Sequence, residues 1–220
     1  MNTELVSILM LTHNAPSYVE TTIRTLHKNT KNVRYELIVL DNASRRETRD
    51  LVYKLFIEGL IGKLLLLDHN SLFSKGNNLA SKLSASEATH FLLLNSDVEI
   101  RSPEWLSHLL SIHERGITTY GWVRSNPDKV DGYCLLVDSD LFRKHGLDER
   151  HQWWFAITKL QAILLNEGLS VKGYEHHEAF IHHFGGKSGD SFKGAAGMDV
   201  SDEEVHRWFN GVFPTKIDAT

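Results

Sequence analysis

Four short polar clusters carry most of the chemistry this sequence offers, and each follows an apolar run. Thr12, His13 and Asn14 follow VSILML, and Asp41 and Asn42 follow YELIVL. Asp68, His69 and Asn70 follow KLLLL, and Asn95, Ser96 and Asp97 follow HFLLL. Taken singly, each cluster is an ordinary turn or helix cap, because Asp, Asn and Ser side chains bond readily to nearby backbone. Four of them on one edge of a sheet would instead form a surface for a polar ligand with hydroxyls and a heterocycle. A nucleotide fits that description.

Such an edge requires the apolar runs to be strands of one sheet. Residues 6–11, 35–40, 63–67 and 90–94 read as strands, and helical stretches separate them. Val19, Ile23 and Leu26 share one face of a helix over residues 18–29, with Pro16 near its start. A second helix is expected over residues 48–60, ending near Gly62, and a third begins within SKGNNLASKLSAS. Continuous apolar strands alternating with helices predict an α/β fold, a Rossmann-like and mostly parallel sheet flanked by helices. Ligands in such sheets bind beyond the carboxyl ends of the strands, where the four clusters fall.

Composition narrows the function classes. The 220 residues carry a formal net charge of −4, and no basic stripe interleaved with aromatics is present. A saccharide or small-molecule partner therefore ranks above a nucleic acid. Cys134 is the single cysteine, which rules out a disulfide framework or a thiolate zinc site and suits a reducing compartment. The apolar run near the N-terminus is too short for a signal peptide or membrane span, so the expected location is cytoplasmic.

VSILMLTHN, LIVLDNAS, NSLFSKGNN and LLLNSDVEI, in that order and spacing, resemble the nucleotide-sugar-binding half of glycosyltransferase family 2, particularly its rhamnosyltransferase-like members. GYCLLVDSDLFRKHGLDE resembles the start of the acceptor-binding half, and IHHFGGKSG the late H-x-G-G-x-S element. The resemblance covers roughly residues 5 to 190. It implies a GT-A-type catalytic domain over residues 1–190, with a donor half (1–100), an acceptor half (101–190) and a C-terminal tail (191–220). The tail holds one expected helix, over residues 201–209.

The implied activity is metal-dependent transfer of a hexosyl or deoxyhexosyl group from a UDP- or dTDP-type sugar to a hydroxyl acceptor. A divalent cation neutralises charge on the departing diphosphate. Asp97, closing NSD where the family carries D-x-D, would hold Mn²⁺ or Mg²⁺. His183 would add a nitrogen ligand that favours Mn²⁺, and in the His182–His183 pair adjacent strand residues point to opposite faces. Thr12, His13 and Asn14 would line the nucleoside pocket, Asp41 would bond the base, and Asn42 sits beside it. Lys75, Gly76 and Asn78 would lie near the ribose and diphosphate, and Asn95 and Ser96 on the donor side next to Asp97. Gly185 and Gly186 would let backbone approach a phosphate that Lys187 and Ser188 contact. Leu72 stands where the family usually has glycine.

The larger departure concerns the catalytic base. Family members place a Glu-Asp pair early in the helix that ends, in this chain, near Gly168; counting back puts Ala156 and Ile157 at those positions. WWFAITKLQAILLNEG holds no acid before Glu167. Asp148 and Glu149 are the nearest carboxylates, and Asp148 becomes the expected base; Trp153 and Trp154 either stack on an acceptor ring or pack in the core. Two other readings stand beside this one: a nucleotide-sugar-binding protein that transfers nothing, for which the missing pair argues, or a transferase with an unusual acceptor such as a modified DNA base. A nucleotidyltransferase is disfavoured by the lack of an early glycine-rich phosphate loop.

Overall fold

The computed structural model describes residues 4–187 and 195–217. Strands β1 (Leu5–Thr12), β2 (Arg34–Asp41), β3 (Lys63–Leu66) and β4 (His90–Asn95) lie where the apolar runs predict them. Helices α1 (Pro16–Asn29), α2 (Arg46–Ile57) and α3 (Leu72–Ser81) connect them. Beyond β4 come β5 (Val98–Ile100), α4 (Trp105–Ser111), β6 (Gly116–Tyr120), β7 (Trp122–Val123), β8 (Lys129–Val130), β9 (Cys134–Asp138) and α5 (Ser139–His145). The chain continues through α6 (Trp153–Asn166), β10 (Ser170–Tyr174), β11 (Ile181–His183), α7 (Asp202–Phe209) and β12 (Thr215–Ile217).

Eight strands form one sheet in the order β12-β10-β6-β9-β4-β1-β2-β3. It is mostly parallel, and β9 alone runs against its neighbours β4 and β6. In β1 the odd and even residues point to opposite faces, as a strand buried on both sides requires. Leu9 packs with α3 and α6 through Phe73 and Leu160, whereas Ile8 and Met10 pack with α1, α2 and α4 through Ile23, Val52 and Trp105. Among the described residues, no helix is long and apolar enough to cross a membrane.

The registers align the polar strand ends. Thr12 lies opposite Asp41, and Leu11 opposite Asn95. Two small antiparallel pairs complete that edge, β5 with β11 and β7 with β8. Toward the C-terminus, α7 lies where a helix is expected and is capped by Ser201, whose hydroxyl accepts the Glu204 amide. It buries Val205 and Phe209 among the residues packed on α6. Strand β12 pairs with β10 at the sheet margin.

Leu72 explains its own oddity. Its φ is +62°, the left-handed conformation that costs a non-glycine residue about 1–2 kcal/mol. The loop therefore keeps the shape a glycine would give it. Asn70 Oδ1 accepts the Leu72 amide at 2.8 Å, and Asn42 Nδ2 donates to the Leu72 carbonyl at 3.1 Å. These bonds hold the backbone against the strain.

Gln161 couples α6 to strand β8. Its side chain is fully buried and bonds both backbone groups of Val130: Oε1 accepts the amide at 3.1 Å and Nε2 donates to the carbonyl at 3.0 Å. Gln161→Leu strands both groups in the core. At about 1–3 kcal/mol for each, urea unfolding should show a loss of roughly 2–6 kcal/mol, and a loss under about 1 kcal/mol would contradict the clamp.

Candidate active site

A cavity opens at the carboxyl edge of the sheet, lined by Thr12, His13, Asn42, Asn95, Ser96, Asp97, His183 and Gly186 among others. Asp97 sits between β4 and β5, and His183 is the last residue of β11. The β5–β11 pairing sets His183 opposite Val98, and the Phe184 amide donates to the Asp97 carbonyl at 3.0 Å. His182 turns the other way, to Glu178 at 3.1 Å. His183 Nε2 thus lies 3.3 Å from Asp97 Oδ1 and 3.3 Å from Asn95 Nδ2. The Tyr133 ring backs His183, stacked at 4.4 Å between centroids.

Burial opposes ionisation of Asp97, but the hydrogen bond and charge of His183, with the Lys187 amide, outweigh it and lower its pKa. A carboxylate oxygen and an imidazole nitrogen therefore converge at 3.3 Å. Two adjacent ligands about 2.1 Å from an octahedral cation stand about 3 Å apart, so this pair fits a small divalent ion. The mixed O/N donor set suits Mn²⁺ at least as well as Mg²⁺. Gly185 and Gly186 follow with φ of +68° and +64°, and nothing lies within 4 Å of where their side chains would be. They leave bare backbone beside the ligand pair.

Another group of metal-type ligands, His90, His113 and Asp138, lies at the opposite end of the sheet, where β4 starts and β9 ends. There Asp138 already accepts the Gly116 amide at 2.7 Å and faces Arg115 at 3.5 Å. The guanidinium supplies the positive charge a cation would bring.

At the ends of β1 and β2, His13 Nδ1 lies 2.7 Å from the Asn42 carbonyl, which can only accept. Nδ1 therefore carries the proton of this bond. Asn42 is the hub: its Oδ1 accepts both the amide (2.7 Å) and the hydroxyl (2.8 Å) of Ser71. Asp41 is corrected. It is fully buried, with one oxygen accepting Thr12 Oγ1 and the other the Ser44 amide, each at 3.1 Å. It fastens the ends of β1 and β2 instead of facing the cavity. Asn14 likewise caps the next turn, accepting the Arg45 amide at 2.9 Å.

The α3 expectations shift by a residue. Lys75 is exposed and does not line the cavity. Gly76 serves packing, since a Cβ there would stand 2.8 Å from Leu11 Cδ1. Asn78 clamps Leu147, accepting its amide at 2.8 Å and donating to its carbonyl at 2.9 Å. The cavity is lined instead by Asn77, Asn70 and Phe73. Lys187 meets Asp97 through its backbone amide at 3.2 Å, while its ammonium lies over the Tyr18 ring. Ser188 lies outside the described residues.

Asp148 is not brought to the cavity. It is paired with Arg150 at 2.8 Å and Lys159 at 2.7 Å. The Arg150 hydrogen bond, helped by Lys159 against the effect of burial, holds its pKa far below the usual carboxylate range. A group so stabilised as an anion is a poor proton acceptor. Ile157 does line the cavity, with Trp153 and Trp154 on the same wall, so the position expected for the acid faces the site but carries an aliphatic side chain. Sequence reasoning missed Asp131, the second carboxylate of the cavity. Its only local signal was an Asp-Gly dipeptide, which reads as a turn.

Comparison with known proteins agrees with this architecture. The chain is 28% identical over 113 residues to the O-antigen biosynthesis protein RfbC of Myxococcus xanthus, covering 51% of this chain and 9% of that protein. It is 32% identical over 129 residues to the uncharacterized protein y4gI of Sinorhizobium fredii, covering 57% and 14%. The chain thus spans a small part of either relative. Among solved structures, residues 1–349 of S. aureus TarS superpose with a TM-score of 0.57 at 17% identity, covering 71% of this chain and 55% of that one. The mannosyltransferase PcManGT of Pyrobaculum calidifontis, in complex with GDP-Man and Mn²⁺, gives 0.58 at 15% identity, covering 72% and 52%. Both show the same GT-A fold. Residues 7–166 match the family model for glycosyl transferase family 2, and the chain belongs to that family.

Proposed function

We propose that this protein transfers a glycosyl group from a nucleoside-diphosphate sugar to an acceptor hydroxyl, with Asp97 and His183 holding Mn²⁺ or Mg²⁺. The observation that carries the reading is the convergence of Asp97, His183 and the bare Gly186 backbone on the cavity that Thr12, His13 and Asn42 also line. The cation would supply Lewis-acid stabilisation of the diphosphate as it departs. Around it the chain's own groups divide the work. Thr12, His13 and Asn42 bind the nucleoside, Asn95 and Ser96 border the diphosphate, and Gly186 lets backbone approach it. Asp41 acts behind them by keeping two strand ends in register.

Structures of TarS have been solved with UDP and with UDP-GlcNAc, which supports testing UDP and dTDP sugars first. Residues 1–100 supply the donor side, and the wall of Trp153, Trp154 and Ile157 within residues 101–190 faces the acceptor. That wall favours an acceptor with an apolar ring face beside its hydroxyl, a saccharide among them. The aliphatic Ile157 also motivates the second reading, a protein that holds a nucleotide sugar without transferring it. Release of nucleoside diphosphate from a donor separates the two.

Asp97→Ala should abolish the Mn²⁺-dependent part of the UDP-induced rise in melting temperature, since a ligand that binds only the folded state raises apparent stability. The ligand-free melting temperature should change by no more than about 4 °C, the order expected for about 1 kcal/mol in a chain of this size. A Mn²⁺-dependent rise of native size in the variant would overturn the metal assignment.

Trp154 is half exposed at the cavity wall, so its removal should spare the fold. Trp154→Ala should raise KM for a saccharide acceptor about 2- to 12-fold, matching about 0.5–1.5 kcal/mol of lost stacking, with UDP affinity unchanged. Unchanged acceptor KM would remove Trp154 from the acceptor site.

A further inference from the structure

We propose that Asp131 is the catalytic base, moved from helix α6 to the loop that packs against it; the inference rests on the transferase reading above. Two carboxylates line the cavity among the described residues, Asp97 and Asp131. Asp97 is committed to His183 and the Lys187 amide, which leaves Asp131 to accept a proton.

Its position is specific. The neighbouring Gly132 lies directly on Ile157: a Cβ at Gly132 would stand 2.9 Å from Ile157 Cγ1. Ile157 is the residue at the place where an acid would be expected on α6, so Asp131 enters the cavity beside the position left aliphatic. Three contacts hold it there. Its amide donates to the Gly121 carbonyl at 3.2 Å, and its Oδ1 accepts the Gly132 amide at 2.6 Å. The preceding Val130 is clamped by Gln161 of α6. Gly121 is required for this approach, because a Cβ there would come within 2.7 Å of Asp131 Cβ.

Its electrostatic setting suits the task. Asp148 is neutralised by Arg150 and Lys159, whereas Asp131 has no ion-pair partner among the described residues. With Oδ1 occupied by the Gly132 amide, Oδ2 is the oxygen left to take a proton. In the step, the acceptor O–H proton passes to Asp131 Oδ2 as the acceptor oxygen bonds to the anomeric carbon. The bond from that carbon to the diphosphate oxygen breaks, and the nucleoside diphosphate leaves with the electron pair. Asp131 afterwards returns the proton to solvent.

The test measures Mn²⁺-dependent release of nucleoside diphosphate from UDP-glucose, UDP-GlcNAc and dTDP-rhamnose, with water or added saccharide as acceptor. Asp131→Asn keeps the Oδ1 contact to Gly132 and should fold normally. We expect release to slow by about 10²–10⁴-fold, the range for loss of a general base, with UDP binding in the presence of Mn²⁺ unchanged. Adding Ile157→Asp to that variant should recover tenfold or more by restoring a carboxylate beside the same reacting atoms. Release within twofold of native in Asp131→Asn, or a slowing matched by an equal loss of UDP affinity, would overturn the assignment of the base alone. No release by the native protein while it still binds UDP would overturn the transferase reading, and the base with it.

Discussion

The site depends on one constraint, the pairing of β11 with β5. Neither strand exceeds three residues, yet their register fixes which histidine faces the cavity and how close it comes to Asp97. Side chains alternate along a strand, so a shift by one residue would present His182 instead and send His183 to solvent. The Phe184 amide on the Asp97 carbonyl and the Tyr133 ring against His183 add independent restraints. Such over-determination fits a ligand pair that must be in place before any metal or diphosphate arrives.

The wider sheet supplies the platform for that pair. Parallel strands β1, β2 and β4 end in register, which puts Thr12, Asn42 and Asn95 along one rim. Antiparallel β9 then lies beside β4, and the loop leading into it brings Asp131, Gly132 and Tyr133 back to the same rim. The reversal joins the two halves of the molecule at the cavity. Gln161 makes the junction stiff, since a fully buried amide bonded to both groups of one residue cannot move without stranding them. The aliphatic start of α6 and the loop carrying Asp131 are thus one packed unit.

The donor side was the legible part of the sequence, because continuous apolar strands and their polar ends are local patterns. The first four strands and three helices lie where periodicity places them, and Asp97, His183, Thr12, His13, Asn42, Asn95 and Ser96 meet at one edge. Other positions were beyond local pattern for identifiable reasons. Asp41 and Asn14 have the composition of turn residues whether they face a ligand or close a turn, and only burial for the first and the bond to Arg45 for the second separate the cases. On α3, each residue turns by about 100°, so local pattern could not decide between Asn77 and Asn78; packing turns the first to the cavity and the second to Leu147. Asp148 has a plausible place in the sequence, but Lys159, on the next helix, pairs with it. Asp131 depends on the contact between Gly132 and Ile157, a long-range fact that no local window contains.

The central claim is that Asp97 and His183 form the metal site on which donor binding depends. Its most direct test is a crystal of the protein grown with UDP and Mn²⁺, with anomalous diffraction collected at the manganese edge. The account predicts one dominant anomalous peak within about 2.4 Å of both Asp97 and His183, touching the diphosphate on its other side. A peak at His90, His113 and Asp138 instead, or UDP bound at this edge with no metal between it and Asp97, would contradict it.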